Sequence, residues 1–144
     1  MDRSLLDTDI LSEIFKGRDP NVRARAAAYR TFFGHYTTSV LTVVEIVKGF
    51  HKSRRQDRLQ AFLATLADEE VLLLDLTSAE TAGRIHADLE LAGQPLGRID
   101  PMISAIAMHH GLTLVTGNES HYRYIQQLGY PLKLDNWRRP SVRN

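Results

Sequence analysis

Apolar residues fall along this chain in two rhythms. In one, a few follow each other directly, as in Leu5-Leu6, Val71-Leu72-Leu73-Leu74 and Leu112 to Val115. Such runs suit strands of a parallel sheet buried on both faces. In the other, apolar positions recur every three or four residues, which is the signature of a helix with one face turned to a core. The first strand is expected over 3–7 and the first helix over 9–16, with Gly17 as its stop. Asp19-Pro20 restarts the chain into an Ala- and Arg-rich helix over 21–30, and a second short strand is expected over 35–38.

Ser39 is the expected cap of a helix over 40–50, with a stripe of Val40, Val43, Val44, Val47 and Phe50. A basic run over 52–58 leads to an amphipathic helix carrying Leu59, Phe62, Leu63 and Leu66. The run Val71 to Leu74 reads as a buried strand, and Thr77-Ser78-Ala79-Glu80 as a capping box opening a long helix that ends at Ala92-Gly93. After a loop over 94–99, Asp100-Pro101 opens a helix over 101–110, followed by a strand over 112–116. A polar turn over 117–120, an aromatic segment over 121–125 and an edge strand over 132–134 complete the series. Short strands alternating with helices predict an α/β fold, a short central parallel sheet covered by helices.

Composition narrows this picture. With 144 residues, 43% hydrophobic and 24% charged, the chain has the size and makeup of one globular domain with its own core, expected over 1–136 with a basic tail over 137–144. It contains no cysteine, which excludes disulfides and cysteine-based zinc sites. No apolar run approaches the ~20 residues a membrane helix needs, and no secretory pattern opens the chain, so a cytoplasmic protein is expected. The formal charge of +1 is balanced, so any footprint for nucleic acid must be local. The run containing Arg54 and Arg55 is one candidate; a solvated helix face is the other reading of it.

Three isolated acids bear on function. Asp7 closes a strand, Glu45 interrupts a Val-rich helix, and Asp100 begins a helix whose stripe includes Ile103 and Ile106. Each has an ordinary explanation: a strand end beside an Asp9 cap, an acid paired with Lys48 or an arginine, and an N-cap before proline. Taken together they suggest more, because buried carboxylates cost several kcal/mol unless paired or bound to a cation. Oxygen ligands without His or Cys favour Mg2+ or Mn2+ over zinc, and such ions suit phosphodiester hydrolysis by an activated water.

Four segments carry a resemblance: Leu5 to Ser12, Thr42 to Gly49, Gly97 to Ala105 and Leu112 to Asn118. In order and spacing they resemble the PIN domain, and with Leu134-Asp135-Asn136-Trp137 its VapC toxin branch. The resemblance covers essentially the whole chain. It implies a three-layer α/β/α fold and a Mg2+-dependent endoribonuclease, with Mn2+ as a possible substitute. The resemblance also implies that the protein is the toxin of a bacterial pair, held by a VapB-like antitoxin and dimerising with itself. By matching position Asp7, Glu45 and Asp100 would bind metal, and Asn118 would be the fourth site residue. The acidic form of the pattern has a carboxylate where Asn118 stands, which puts a second metal in doubt and raises an alternative: a degenerate PIN domain that binds RNA or protein without cutting. Glu119, beside it, is expected to be exposed. Thr8, Asp9 and Thr116 are candidates to orient acids or waters from behind, and Arg54, Arg55 and Arg98 to contact the RNA backbone.

Other residues draw ordinary expectations. His109, His110 and His121 lack metal-site spacing and read as surface or helix-end residues. Tyr122 and Tyr124 read as core more readily than as platforms for bases. Phe50, Phe62 and Leu63 suit either a core or a self-association surface. The strand-plus-aspartate opening is also similar to phosphatases that form a phospho-aspartate, but the later acidic pair of that family is missing.

Overall fold

The computed structural model describes residues 1–141. Five strands form one all-parallel sheet: β1 (Ser4–Leu6), β2 (Thr37–Ser39), β3 (Glu70–Leu72), β4 (Thr113–Val115) and β5 (Leu134–Asp135), in the order β3-β2-β1-β4-β5. Seven helices connect and cover it: α1 (Thr8–Lys16), α2 (Pro20–Phe33), α3 (Val40–Lys52), α4 (Gln56–Thr65), α5 (Leu76–Leu91), α6 (Ile99–His109) and α7 (Glu119–Gln127).

Alternation along β1 and β4 divides the core into two layers. Leu5 and Leu114 join Ile85, Leu89, Ile103, Ile106, Tyr122 and Ile125 from α5, α6 and α7 on one face. Leu6 and Val115 join Ile10, Val22, Tyr29, Ile46, Phe62 and Trp137 on the other. This is the expected α/β/α sandwich. None of its helices is long and apolar enough to cross a membrane, among the described residues.

The strand order positions the site. From β1 the chain builds outward through β2 and β3, then returns to place β4 and β5 on the other side. Leu6 is in register with Thr38 on one side and Val115 on the other. Asp7 and Thr116, each one residue further on, therefore share the carboxyl edge at the point where the strand order reverses, which is where open α/β sheets form a ligand crevice.

Several local expectations are corrected. Asp7, not Asp9, caps α1, its side chain accepting the Thr8 N–H. Asp75 caps α5 by accepting the Ser78 N–H, so the helix opens ahead of the expected capping box. On α3 the buried residues are Thr42 and Ile46, while Val44 is 54% exposed: the helix lies on the sheet through a face rotated from the valine stripe. β3 is an edge strand and only half-buried. The aromatic segment is helical, forming α7. Phe62 is core, whereas Leu63 is partly exposed. Trp137, the first residue of the expected basic tail, is buried, its ring 5.4 Å from that of Tyr29. Of the expected tail, residues 142–144 lie outside the described residues.

Candidate active site

The site gathers strand ends, helix starts and one mid-helix residue at the carboxyl edge of the sheet. Asp7 follows β1 directly and is held at the edge by its backbone N–H, which donates to the Val115 carbonyl at 2.9 Å. Its side chain is almost fully buried. Asp7 Oδ1 accepts the Thr8 N–H at 2.8 Å, and Oδ2 accepts the hydroxyls of Thr116 at 2.8 Å and Tyr122 at 3.1 Å. Burial pushes the Asp7 carboxyl up from its ordinary 3.8 to about 7, against the pull of Thr116 and the Thr8 N–H; the neighbouring charges of Asp9 and Asp100 push the same way.

Asp100 lies in the first turn of α6 and does not cap it, since the capping position is Arg98. Its Oδ1 accepts the same Tyr122 hydroxyl at 3.2 Å, and its Oδ2 stands 3.6 Å from His121 Nδ1. Burial raises the Asp100 carboxyl, and the Glu45 charge adds to that rise. A phenol has one proton to donate, so its contact with both carboxylates favours a proton on one of them, in keeping with the upward direction at both. Tyr122 is itself driven well above its ordinary value, by burial first and then by these two charges.

Glu45 comes from the middle of α3 and turns to Thr8, whose Oγ1 donates to Glu45 Oε1 at 2.5 Å and lies 3.2 Å from the Thr42 hydroxyl. Neither Lys48 nor an arginine is its partner among the described residues. Asp9 is half-buried: its Oδ2 accepts the Gly117 N–H at 2.8 Å, while its Oδ1 is buried without a partner. Burial raises the Asp9 carboxyl too, opposed by the Gly117 N–H and the charge of Arg138.

The turn after β4 is thus tied to two acids. The Asn118 N–H donates to Thr116 Oγ1 at 3.0 Å, which orients the hydroxyl that serves Asp7. The Asn118 side chain is exposed and makes no capping hydrogen bond to α7. Glu119 departs from expectation: it is mostly buried and faces away, pairing with Arg139 and accepting from Asn136 Nδ2. It is committed to the C-terminal segment and cannot replace a carboxylate at position 118. Arg54 and Arg55 are exposed in the turn between α3 and α4, and Arg98 is exposed two residues before Asp100. His121, expected at the surface, is half-exposed but borders Asp100.

Sequence reasoning placed Tyr122 in the core, where it lies, but missed what its hydroxyl touches. Its position four residues after Asn118 gives no hint that its hydroxyl joins two acids distant in the chain.

Among the described residues no three His, Cys, Asp or Glu side chains stand close enough to hold a metal as they are. The donor set nevertheless fits Mg2+. The carboxylates and hydroxyls gathered here are hard oxygens, burial raises both Asp7 and Asp100, Asp7 also feels the charge of Asp100 and Asp100 that of Glu45, and Asp9 Oδ1 is buried without a partner. Mg2+ needs no complete protein cage, because it keeps several waters and takes one or two carboxylates.

Comparison with known proteins identifies the family and the fold. The sequence pattern of the PIN domain matches residues 4–125. The chain is similar to Ribonuclease VapC2 of Haemophilus influenzae, 29% identical over 139 residues that cover 92% of this chain and 96% of that one. It is 30% identical over 123 residues to the plasmid stability protein StbB of Pseudomonas syringae pv. tomato, covering 78% and 85%. In structure it is similar to a chain of the DNA-bound VapBC of Salmonella typhimurium, with a TM-score of 0.79, 27% identity and coverage of 95% and 99%. A chain of VapBC-1 from nontypeable Haemophilus influenzae shares the fold, with a TM-score of 0.76, 21% identity and coverage of 94% and 98%.

Proposed function

The chain belongs to the PIN domain family, and from that premise we propose that it is a divalent-metal-dependent endoribonuclease, the toxin of a toxin-antitoxin pair. The observation that carries this reading is the pair Asp7 and Asp100, from elements far apart in the chain, brought onto one buried hydroxyl at the carboxyl edge of the sheet with Glu45 beside them. Support comes from relatives bearing the name ribonuclease and from solved toxin-antitoxin assemblies with the same fold. A VapB-like antitoxin and a second copy of the chain are the protein partners this reading brings, and RNA is its substrate.

Asp7, Glu45 and Asp100 would hold Mg2+. A divalent cation bound there supplies positive charge to the scissile phosphate and makes water more acidic. The chain's own residues do the rest. Thr116 and the Thr8 N–H fix Asp7, and the Thr8 hydroxyl aims Glu45, so the acids are set before substrate arrives. Asn118 takes the fourth position with a neutral amide, whose carbonyl can accept from a water but adds no negative charge. That favours a single cation over two. Arg98, close to Asp100 in the chain, and Arg54 and Arg55 beyond the end of α3 are exposed and would meet the RNA backbone, a contact that sets affinity without reading sequence.

The test is end-mapping of total bacterial RNA incubated with the purified protein in Mg2+, beside EDTA and Asp7→Asn controls. New 5′-phosphate ends at a few positions, absent from both controls, are expected. Metal binding without any new ends would overturn the nuclease reading in favour of a PIN domain that binds without cutting.

A further inference from the structure

The proposed site contains a group that neither its acids nor its threonines account for. Tyr122 sits on the buried side of α7, with its ring in the core among residues such as Ile85, Ile103 and Ile125. Its hydroxyl reaches out of that core to Asp7 Oδ2 at 3.1 Å and Asp100 Oδ1 at 3.2 Å. Asp7 lies 115 positions away in sequence and Asp100 lies 22 away. A phenylalanine would fill the same volume, so packing does not explain the oxygen. Burying a phenol oxygen costs free energy unless it is hydrogen-bonded, and here both of its partners are candidate metal ligands. His121, the preceding residue, stands at the other oxygen of Asp100. The first turn of α7 therefore meets both sides of the Asp100 carboxylate.

We propose that Tyr122 is a positioning residue for metal binding: its hydroxyl ties Asp7 to Asp100 and holds the two carboxylates at the separation and rotation from which they take a divalent cation. The proposal rests on those acids forming the metal site. The ring supplies the rigidity, because it is fully buried in the core and its oxygen meets the acids. Without the hydroxyl, Asp7 keeps Thr116 and the Thr8 N–H, but Asp100 loses the one hydroxyl donor it has among the described residues and is free to turn toward His121. The defect therefore lies in gathering the cation and leaves the grip on RNA intact.

The experiment compares wild type, Tyr122→Phe and Asp100→Asn, each confirmed as folded by circular dichroism. Mn2+ affinity is measured from the free-ion EPR signal, and RNA cleavage across a Mn2+ series. Wild type should bind Mn2+ and cleave, and Asp100→Asn should do neither. Tyr122→Phe should bind Mn2+ more weakly, on the order of 10- to 100-fold as when a hydrogen-bond partner of a ligand is removed, with KM for RNA unchanged and kcat recovering as Mn2+ is raised. Equal Mn2+ affinity in wild type and Tyr122→Phe overturns the proposal. If Asp100→Asn binds Mn2+ as wild type does, the site itself is wrongly assigned, whatever Tyr122 does. Should Tyr122→Phe fail to fold, 3-fluorotyrosine placed at position 122 keeps the hydroxyl. Its 19F resonance should move when Mg2+ is added, and not in an Asp100→Asn background. No movement in a chain that binds Mn2+ overturns the proposal equally.

Discussion

At the scale of single residues, Asp7 sets the electrostatics of the metal-free protein. Its carboxyl is raised to about 7 from 3.8, so the folded state holds a proton that the unfolded chain has released throughout that window. A raised acid pKa makes stability fall as pH rises through the window, by about 1.4 kcal/mol per pH unit, and leaves it level above. Asp9 and Asp100 are raised as well and act in the same sense, whereas Asp75 and Glu119 are lowered by their hydrogen bonds, and their contribution is lost toward acid. The clean observable is the difference between wild type and Asp7→Asn in EDTA. The variant's advantage in urea unfolding should grow from pH 5 to pH 7 and then level off; a difference independent of pH would mean that Asp7 ionises as an ordinary surface acid.

Gly117 shows a second constraint at this scale. A Cβ at this position would stand 2.3 Å from Asp9 Oδ2 and 3.0 Å from Arg138 Nε. The glycine is required by close approach, since its N–H must reach the Asp9 carboxylate at 2.8 Å. Gly117→Ala should push Asp9 and Arg138 away and cost about 1–3 kcal/mol, as overpacking does, measured by urea unfolding. An unchanged midpoint would mean that Asp9 swings aside freely.

Among the elements, the turn from α3 to α4 carries the basic run. Ser53 ends α3 and Arg54 takes a positive φ of 59°, a conformation a non-glycine residue adopts at some cost. The turn breaks the basic run into two helix ends and leaves Arg54 and Arg55 exposed. Helical rise puts the end of α3 about 10 Å along the axis from Glu45, within reach of RNA lying across the acids. Binding of single-stranded RNA to a cleavage-deficient Asp7→Asn chain should therefore weaken with salt, and replacing Arg54 and Arg55 with alanine should make the slope of log K against log salt shallower by about 0.7 per lost phosphate contact. An unchanged slope would mean that this turn lies off the RNA path.

For the whole molecule, the C-terminal segment closes the structure. Trp137 is buried against Tyr29, Arg138 reaches Glu13 and Asp19, Asn21 Nδ2 donates to the Arg138 carbonyl at 2.8 Å, and Arg139 pairs with Glu119. The segment expected to be a basic tail thereby joins α1, α2 and α7. Its exposed ion pairs add little; the indole carries the energy. Trp137→Ala should lose about 3–5 kcal/mol in urea unfolding, the range for emptying a large aromatic from a core. A loss below about 1 kcal/mol would mean that the segment merely rests on the surface.

What the sequence determined by itself was local. Apolar runs located β1, β3 and β4 to within a residue or two, Gly17 and the Asp19-Pro20 pair placed helix ends, and alternation of elements gave a parallel α/β sheet, because these signals depend on neighbours in the chain. The acids Asp7, Glu45 and Asp100 were legible as anomalies, since charge in an apolar setting is visible without coordinates. Other features were decided only by tertiary structure. Which face of α3 is buried depended on the sheet it lies on, so Val44 is exposed although the stripe pointed inward. Whether Trp137 is core or tail depended on Tyr29, more than 100 positions earlier in the chain. The role of the Tyr122 hydroxyl exists only because β1 and β4 are paired and α6 and α7 pack together, bringing Asp7 and Asp100 to one oxygen. Hydrogen bonds act over about 3 Å, and only the folded chain brings partners so distant in sequence within that reach.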